Sequence, residues 1–293
     1  MPERTNSIGR HLPTSGGLGK TLDTARELGC ETIQIFVSNP QGWAVPTPRP
    51  DGDAFALASR EAGVSPVVAH AKYLINLASP YDEQRERSVE ALAHELVAAG
   101  AVGSELVVVH SGSHGGAGEK KGVDHLVGGL ERAREQATER AGAFGRAAAE
   151  PVLENSVGAG TQLCSTFDVL GEVVRRAGVR VCVDTAHAFV AGYDLSEEDG
   201  GRTVAAELVA AVGSAVALVH LNDAKNELGS HRDGHRKVGE GNIPLGCLPG
   251  FFEGLPGVPV VMETPFGGDE ADAKEVRRVK ELAGGLRKAP DRI

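Results

Sequence analysis

The chain has 293 residues, 41% hydrophobic and 24% charged, with a formal net charge of −10, a composition ordinary for a globular protein with a sizeable core. No run of 18 apolar residues offers a membrane helix, the opening MPERTNSIGR lacks an apolar leader core, and no Pro/Ser tract marks a linker, so one cytoplasmic domain over residues 1–293 is expected. Cys30, Cys164, Cys182 and Cys247 are scattered without C-x-x-C spacing, which argues against a disulfide framework and predicts buried free thiols.

In chain order, NSIGRH (6–11) reads as a weak first strand and ETIQIFVS (31–38), rich in β-branched residues, as a second. PVVAH then closes on His70. DEQRERSVEALAHELVAAG (82–100) sets Val89, Leu92, Ala93, Leu96 and Val97 at helical spacing and stops at Gly100, a C-cap signal. Beyond it LVVVH closes on His110, PVLE on Glu154, VCVD on Asp184, ALVH on His220 and VVME on Glu263. A single histidine closing a strand means little, but here six short apolar runs each end in a residue able to bind a metal. The endings are 40, 44, 30, 36 and 43 residues apart, the length of a strand, a loop, a helix and a return loop. Near-continuous apolar strands argue for a parallel sheet covered on both faces. Eight such units predict a closed (β/α)8 TIM barrel, with an open doubly wound sheet as the alternative. In a barrel the strand ends share one face, so the six terminal residues converge there.

Three histidines and three carboxylates suit Zn²⁺ or a similar divalent ion, yet they are too many for one tetrahedral site. His187, three residues after Asp184 in VDTAH, and Asp233 and His235 in HRDGH raise the set to nine, enough for three ions if carboxylates bridge. The stretch from His220 to Pro256 is the longest excursion between strands, so HRDGH is expected on a loop folded over the site. Clustered ions of this kind neutralise an anionic group, bring the pKa of bound water near ~7 and stabilise a leaving oxygen. His11 and His114 fall on the strand-end face and are candidates to touch phosphate or support the ligands, whereas His94 and His125 lie in helical stretches and read as solvated.

Five stretches in order, GRHLPTSGGL (9–18), HAKYLINLASP (70–80), VLENSVGAG (152–160), VCVDTAHAFVAGYDL (181–195) and HLNDAKNELGSHRDGHRKVGEGNI (220–243), together resemble the endonuclease IV family of apurinic/apyrimidinic endonucleases. The likeness runs from about residue 8 to about 264. It implies a xylose-isomerase-like TIM barrel holding three zinc ions, which cuts duplex DNA on the 5′ side of an abasic site in base excision repair, leaving 3′-OH and 5′-deoxyribose phosphate ends. Carried over by position, His70, His110 and Glu154 hold one zinc. Glu154 bridges to a second, held by Asp184, His220 and Glu263, while His187, Asp233 and His235 hold the third. Glu154 is the catalytic candidate, positioning the attacking hydroxide.

The resemblance also implies DNA contacts. Tyr73 and Leu74 match a wedge that enters the base stack, although from the residues alone this pair fits a wedge and a core equally. Gln41 in NPQGW stands where some members have an Arg, and lacks its charge and stacking plane. Ala186 and Lys72 stand where others have a Cys and a Ser. His11 and Lys225 complete the expected contacts. The expected partner is duplex DNA containing an abasic site, with no membrane and a monomeric chain. The acidic net charge is unusual for a DNA binder, but four of the acids are proposed ligands, and Lys72, Lys225, Arg232, Arg236 and Lys237 cluster beside ligand positions. The alternative is a metal-dependent sugar isomerase of the xylose-isomerase-like kind. It would need only Glu154, Asp184, His220 and Glu263, and leaves the other five ligands without a purpose.

Overall fold

A computed structural model describes residues 5–284 other than positions 48 and 144, so both ends of the expected 1–293 domain lie outside the described residues. The apolar runs form β1 (Ile8–His11), β2 (Thr32–Phe36), β3 (Val67–His70), β4 (Leu106–His110), β5 (Glu150–Glu154), β6 (Arg180–Asp184), β7 (Val216–His220) and β10 (Val260–Met262). They close into one barrel in the order β1-β10-β7-β6-β5-β4-β3-β2, every pair parallel. Closure removes the open sheet from consideration and leaves no barrel strand with a bare edge.

Two cores follow from the period of two along each strand. Val68, Leu106, Val108, Val152, Cys182, Ala217, Leu218 and Val261 fill the barrel interior. The alternate positions, Val107, Val109, Leu153, Val181, Val183 and Val219 among them, join the larger core beneath the surrounding helices. All four cysteines are buried free thiols. Among the described residues no helix is long and apolar enough to cross a membrane.

Local chemistry shifts some boundaries. The first strand begins at Ile8, and just before it the Asn6 side chain donates to the carbonyls of Leu255 (2.8 Å) and Val258 (2.7 Å). Helix α3 (Asp82–Ala101) runs through Gly100 instead of stopping there. Gly100 serves close packing: a Cβ at that position would lie 2.3 Å from the carbonyl oxygen of Ala147. The HRDGH segment is tied down by a two-stranded antiparallel ladder between β8 (Asp223–Ala224) and β9 (His235–Arg236). Asp223 secures the return of that loop by accepting from the backbone N–H groups of Gly239, Gly241 and Ile243.

Candidate metal centre

The inward residues Val68, Val108, Val152, Cys182, Leu218 and Val261 each precede by two a strand-end residue: His70, His110, Glu154, Asp184, His220 and Glu263. The same parity therefore turns all six side chains into the barrel mouth. They assemble into overlapping groups whose donor atoms lie within 4.8 Å of one another: His70, His110 and Glu154; Glu154, Asp184, His220 and Glu263; and Asp184, His187 and His235. Asp233 adjoins the last group, its Oδ1 lying 3.5 Å from Nε2 of both His187 and His235. All nine residues singled out in the sequence come together. Asp184 joins two groups, as Glu154 does, which the position-by-position reading did not foresee.

In three of the histidines, His70, His187 and His220, the ring nitrogen facing the cluster is selected by a hydrogen bond on its far side. His70 Nδ1 donates to Ala71 O (2.7 Å), leaving Nε2 toward Glu154 Oε2 at 3.6 Å. His187 Nδ1 donates to Asn155 O (3.0 Å) and leaves Nε2 toward Asp233. Gln34 Nε2 donates to Glu263 Oε1 (2.7 Å), so its carbonyl oxygen faces His220 and accepts from Nε2 (2.8 Å). His220 Nδ1 is then left 3.0 Å from Glu154 Oε1 and 3.2 Å from Glu263 Oε2. Asn222 donates from Nδ2 to Asp184 Oδ2 (2.6 Å) and accepts from Glu263 N (2.8 Å), while Asn155 Oδ1 accepts from Asp184 N (2.7 Å). Asp184 also caps α6 (Thr185–Ala191), accepting from His187 N, and so sets the ring of His187.

Gln34, Asn155 and Asn222 were missed by sequence reasoning. Their signals were slight: a long amide inside the strand TIQIF, and an asparagine one or two places beyond a strand-end ligand. All three are buried.

The electrostatics ask for a cation. Glu154 Oε2 is buried without a hydrogen-bond partner although His110 Nε2 lies 3.3 Å away, and His235 Nε2 is equally unpartnered, 3.6 Å from Asp184 Oδ2. Leaving a buried polar atom unsatisfied costs about 1–3 kcal/mol. Two carboxylates whose oxygens lie within 4.8 Å of one another repel by at least about 3 kcal/mol at an effective dielectric of about 20. Burial would raise the Glu154 carboxyl, but the His220 charge, its contact with Oε1 and the nearby rings of His110 and His70 carry it well below the usual carboxylate range. Burial also works against charge on His187, yet Asp184, Asp233 and Glu154 lift it to about 10. His220, opposed by the same burial, is raised by Cys182, Glu263 and Glu154. The carboxylates thus favour positive charge on these two rings, at the place where a bound cation would supply it. A set of imidazole and carboxylate donors with orphaned atoms between them fits divalent metal ions.

The rim is arranged differently. Tyr73 is 50% exposed and packs its ring against Phe36 and His110, Leu74 is half-buried, and Gln41 and Lys225 are exposed. His11 lies deeper, with Nδ1 2.9 Å from Gln34 Nε2 and 3.2 Å from Glu263 Oε1, against the ligands. His114 accepts from Gly118 N within its own loop. Of the five cations expected beside the ligands, Arg232, Arg236 and Lys225 are exposed, but Lys72 is buried against Glu95 and Lys237 pairs with Asp272 and Glu275. Those two are withdrawn from solvent by ion pairs that no local sequence window contains. His94 and His125, read as solvated, are half-buried, and His125 Nδ1 donates to Ser79 O. A cavity of about 470 Å³ opens over the cluster, lined by His11, Phe36, Tyr73, Glu154, Asp233 and Glu263 among others.

Residues 22–287 match the family model described as xylose isomerase-like TIM barrel. Over 288 residues, 94% of this chain, the sequence is 38% identical to a protein named Probable endonuclease 4 of Methanoculleus marisnigri, 99% of which is covered. It is 37% identical to the protein of that name from Streptomyces coelicolor, with 96% of each chain covered. Among solved structures, endonuclease IV from Thermus thermophilus superposes with a TM-score of 0.82 at 33% identity, covering 97% of this chain and 100% of that one. A D-tagatose 3-epimerase-like protein shares the fold at a TM-score of 0.71 but only 19% identity. With identities of this size over nearly the whole length, the chain belongs to the endonuclease IV family, a family of nucleases built on the xylose isomerase-like TIM barrel.

Proposed function

We propose that the protein is a zinc-dependent endonuclease that hydrolyses the phosphodiester bond 5′ to an abasic site in duplex DNA, leaving 3′-OH and 5′-deoxyribose phosphate ends, as base excision repair requires. The observation that carries this reading is the nine-residue cluster at the barrel mouth, eight residues in three overlapping donor groups with Asp233 against the last of them. His70, His110 and Glu154 would hold one ion, Glu154, Asp184, His220 and Glu263 a second, and His187, Asp233 and His235 the third. Bound there, such ions supply Lewis acidity for the phosphate and lower the pKa of water to about 7.

The protein's own groups do the rest. Glu154, with one carboxylate oxygen in each of two donor groups, orients the attacking water in line with the scissile bond. Gln34, Asn155 and Asn222 fix the ligands so that no reorganisation is needed as charge develops. Arg232, Arg236 and Lys225 stand exposed beside the mouth and meet backbone phosphates, offsetting the acidic net charge where DNA approaches. Tyr73, Leu74 and Gln41 occupy the space vacated by the missing base. A sugar isomerase would use the inner carboxylates but leave Asp233 and His235 idle.

The test is incision of a duplex carrying one abasic analogue. The expected product has a 3′-OH terminus at the nucleotide preceding the lesion. An intact strand, or aldose–ketose isomerisation without nicking, would reject the proposal.

A further inference from the structure

Two segments of the rim stand side by side: the chain following β2, which carries Gln41, and the chain following β3, which carries Tyr73. Beneath them lies Lys72, 3% exposed. Its Nζ donates to Ser38 Oγ (2.6 Å) and to Ala44 O (2.9 Å) and lies 3.1 Å from Glu95 Oε1 on α3. All three ammonium donors are thereby used. Ser38 Oγ donates in turn to Glu95 Oε1 (2.5 Å), and Glu95 is 1% exposed. Two further contacts complete the arrangement: Tyr73 N donates to Pro40 O (3.1 Å), and the Arg87 guanidinium of α3 sits 4.2 Å from the centre of the Trp43 ring. The stretch 38–44 is thus tied at both ends to α3 and in its middle to the Tyr73 segment.

Burying an ion pair this deeply is a poor way to gain stability, because apolar side chains of similar volume often do as well or better. What the pair supplies is a fixed geometry. We propose that Lys72 and Glu95 are positioning residues, a buried strut that holds the 38–44 loop against the Tyr73 segment so that Gln41 and Tyr73 meet DNA as one preformed edge. The purpose of the strut rests on the DNA-cleaving reading above; its geometry does not. A preformed edge avoids the ordering cost of loop and side chains on binding, which matters where the uncharged Gln41 brings little affinity of its own.

Trp43, the sole tryptophan of the chain, reports on this loop in the free protein. Lys72→Met alone strands the buried Glu95 carboxylate, so the decisive variant is Lys72→Met/Glu95→Gln, which leaves no buried charge unpaired. In the folded double variant, acrylamide quenching of Trp43 should rise about threefold and KM for abasic duplex about tenfold, with kcat and bound metal unchanged. Wild-type quenching overturns the strut; a raised quenching with wild-type KM overturns its role in binding. A fall in kcat at unchanged KM would move the pair to the metal floor and equally overturn the proposal. Failure of the parent reading shows separately, as an unmutated protein that does not nick abasic DNA, while the quenching comparison still decides whether the strut exists.

Discussion

Glu154, on the floor of the barrel mouth, is 1% exposed and takes its position from the strand that carries it, whereas Tyr73, on the rim, is 50% exposed and takes its position from a loop. The floor is assembled by parity: once the barrel closes, every strand-end ligand points inward whatever the loops do. The rim has no such guarantee and relies on a few specific contacts, the Lys72–Glu95 pair chief among them. On the proposed function, chemistry sits on the rigid elements and recognition on the adjustable ones. Damage to the floor should cost turnover, and damage to the rim should cost binding.

The largest effect is expected from Glu154→Gln, which preserves shape but removes the negative charge shared by two donor groups. Single-turnover cleavage should fall by about three orders of magnitude or more while affinity for abasic duplex is kept. Turnover near normal would refute the role of Glu154 and blur the division between floor and rim.

A smaller loss should follow from Gln34→Leu, which removes both the acceptor for His220 Nε2 and the donor to Glu263 Oε1. Supporting residues of this kind are worth about 10- to 100-fold in metal affinity. Competition with a chelator measures it. Unchanged affinity in the folded variant would assign Gln34 to packing alone.

The smallest effects belong to the rim. Tyr73→Ala and Leu74→Ala should each weaken binding to abasic duplex about tenfold, the worth of a modest base–aromatic or wedge contact, without lowering Tm. A large drop in Tm with unchanged affinity would return the pair to the core and erase the distinction.

The barrel and its floor were legible in the sequence for one physical reason: a parallel strand buried on both faces is an unbroken apolar run, and a titratable residue closing six such runs is hard to mistake. Asp233 and His235 were legible through the HRDGH spacing, helped by the family resemblance. What escaped notice depends on partners brought together by the fold. Gln34 is an isolated amide until β2 meets β10 and β7 through the barrel interior. Lys72 reads as a cation free for phosphate until α3 delivers Glu95, and Gly100 reads as a helix stop until Ala147 packs against it. Asp184 reads as a ligand of one ion until β9 carries His235 over it.

The central claim, that the nine residues form one metal floor with three sites, is tested most directly by metal analysis of gently purified protein beside Asp233→Ala/His235→Ala. The account predicts about three zinc ions per chain in the unmutated protein, and about two in a folded variant that has lost most abasic-site cleavage. One ion or none per chain in a fully active protein, or a variant that keeps both its metal and its activity, would contradict it.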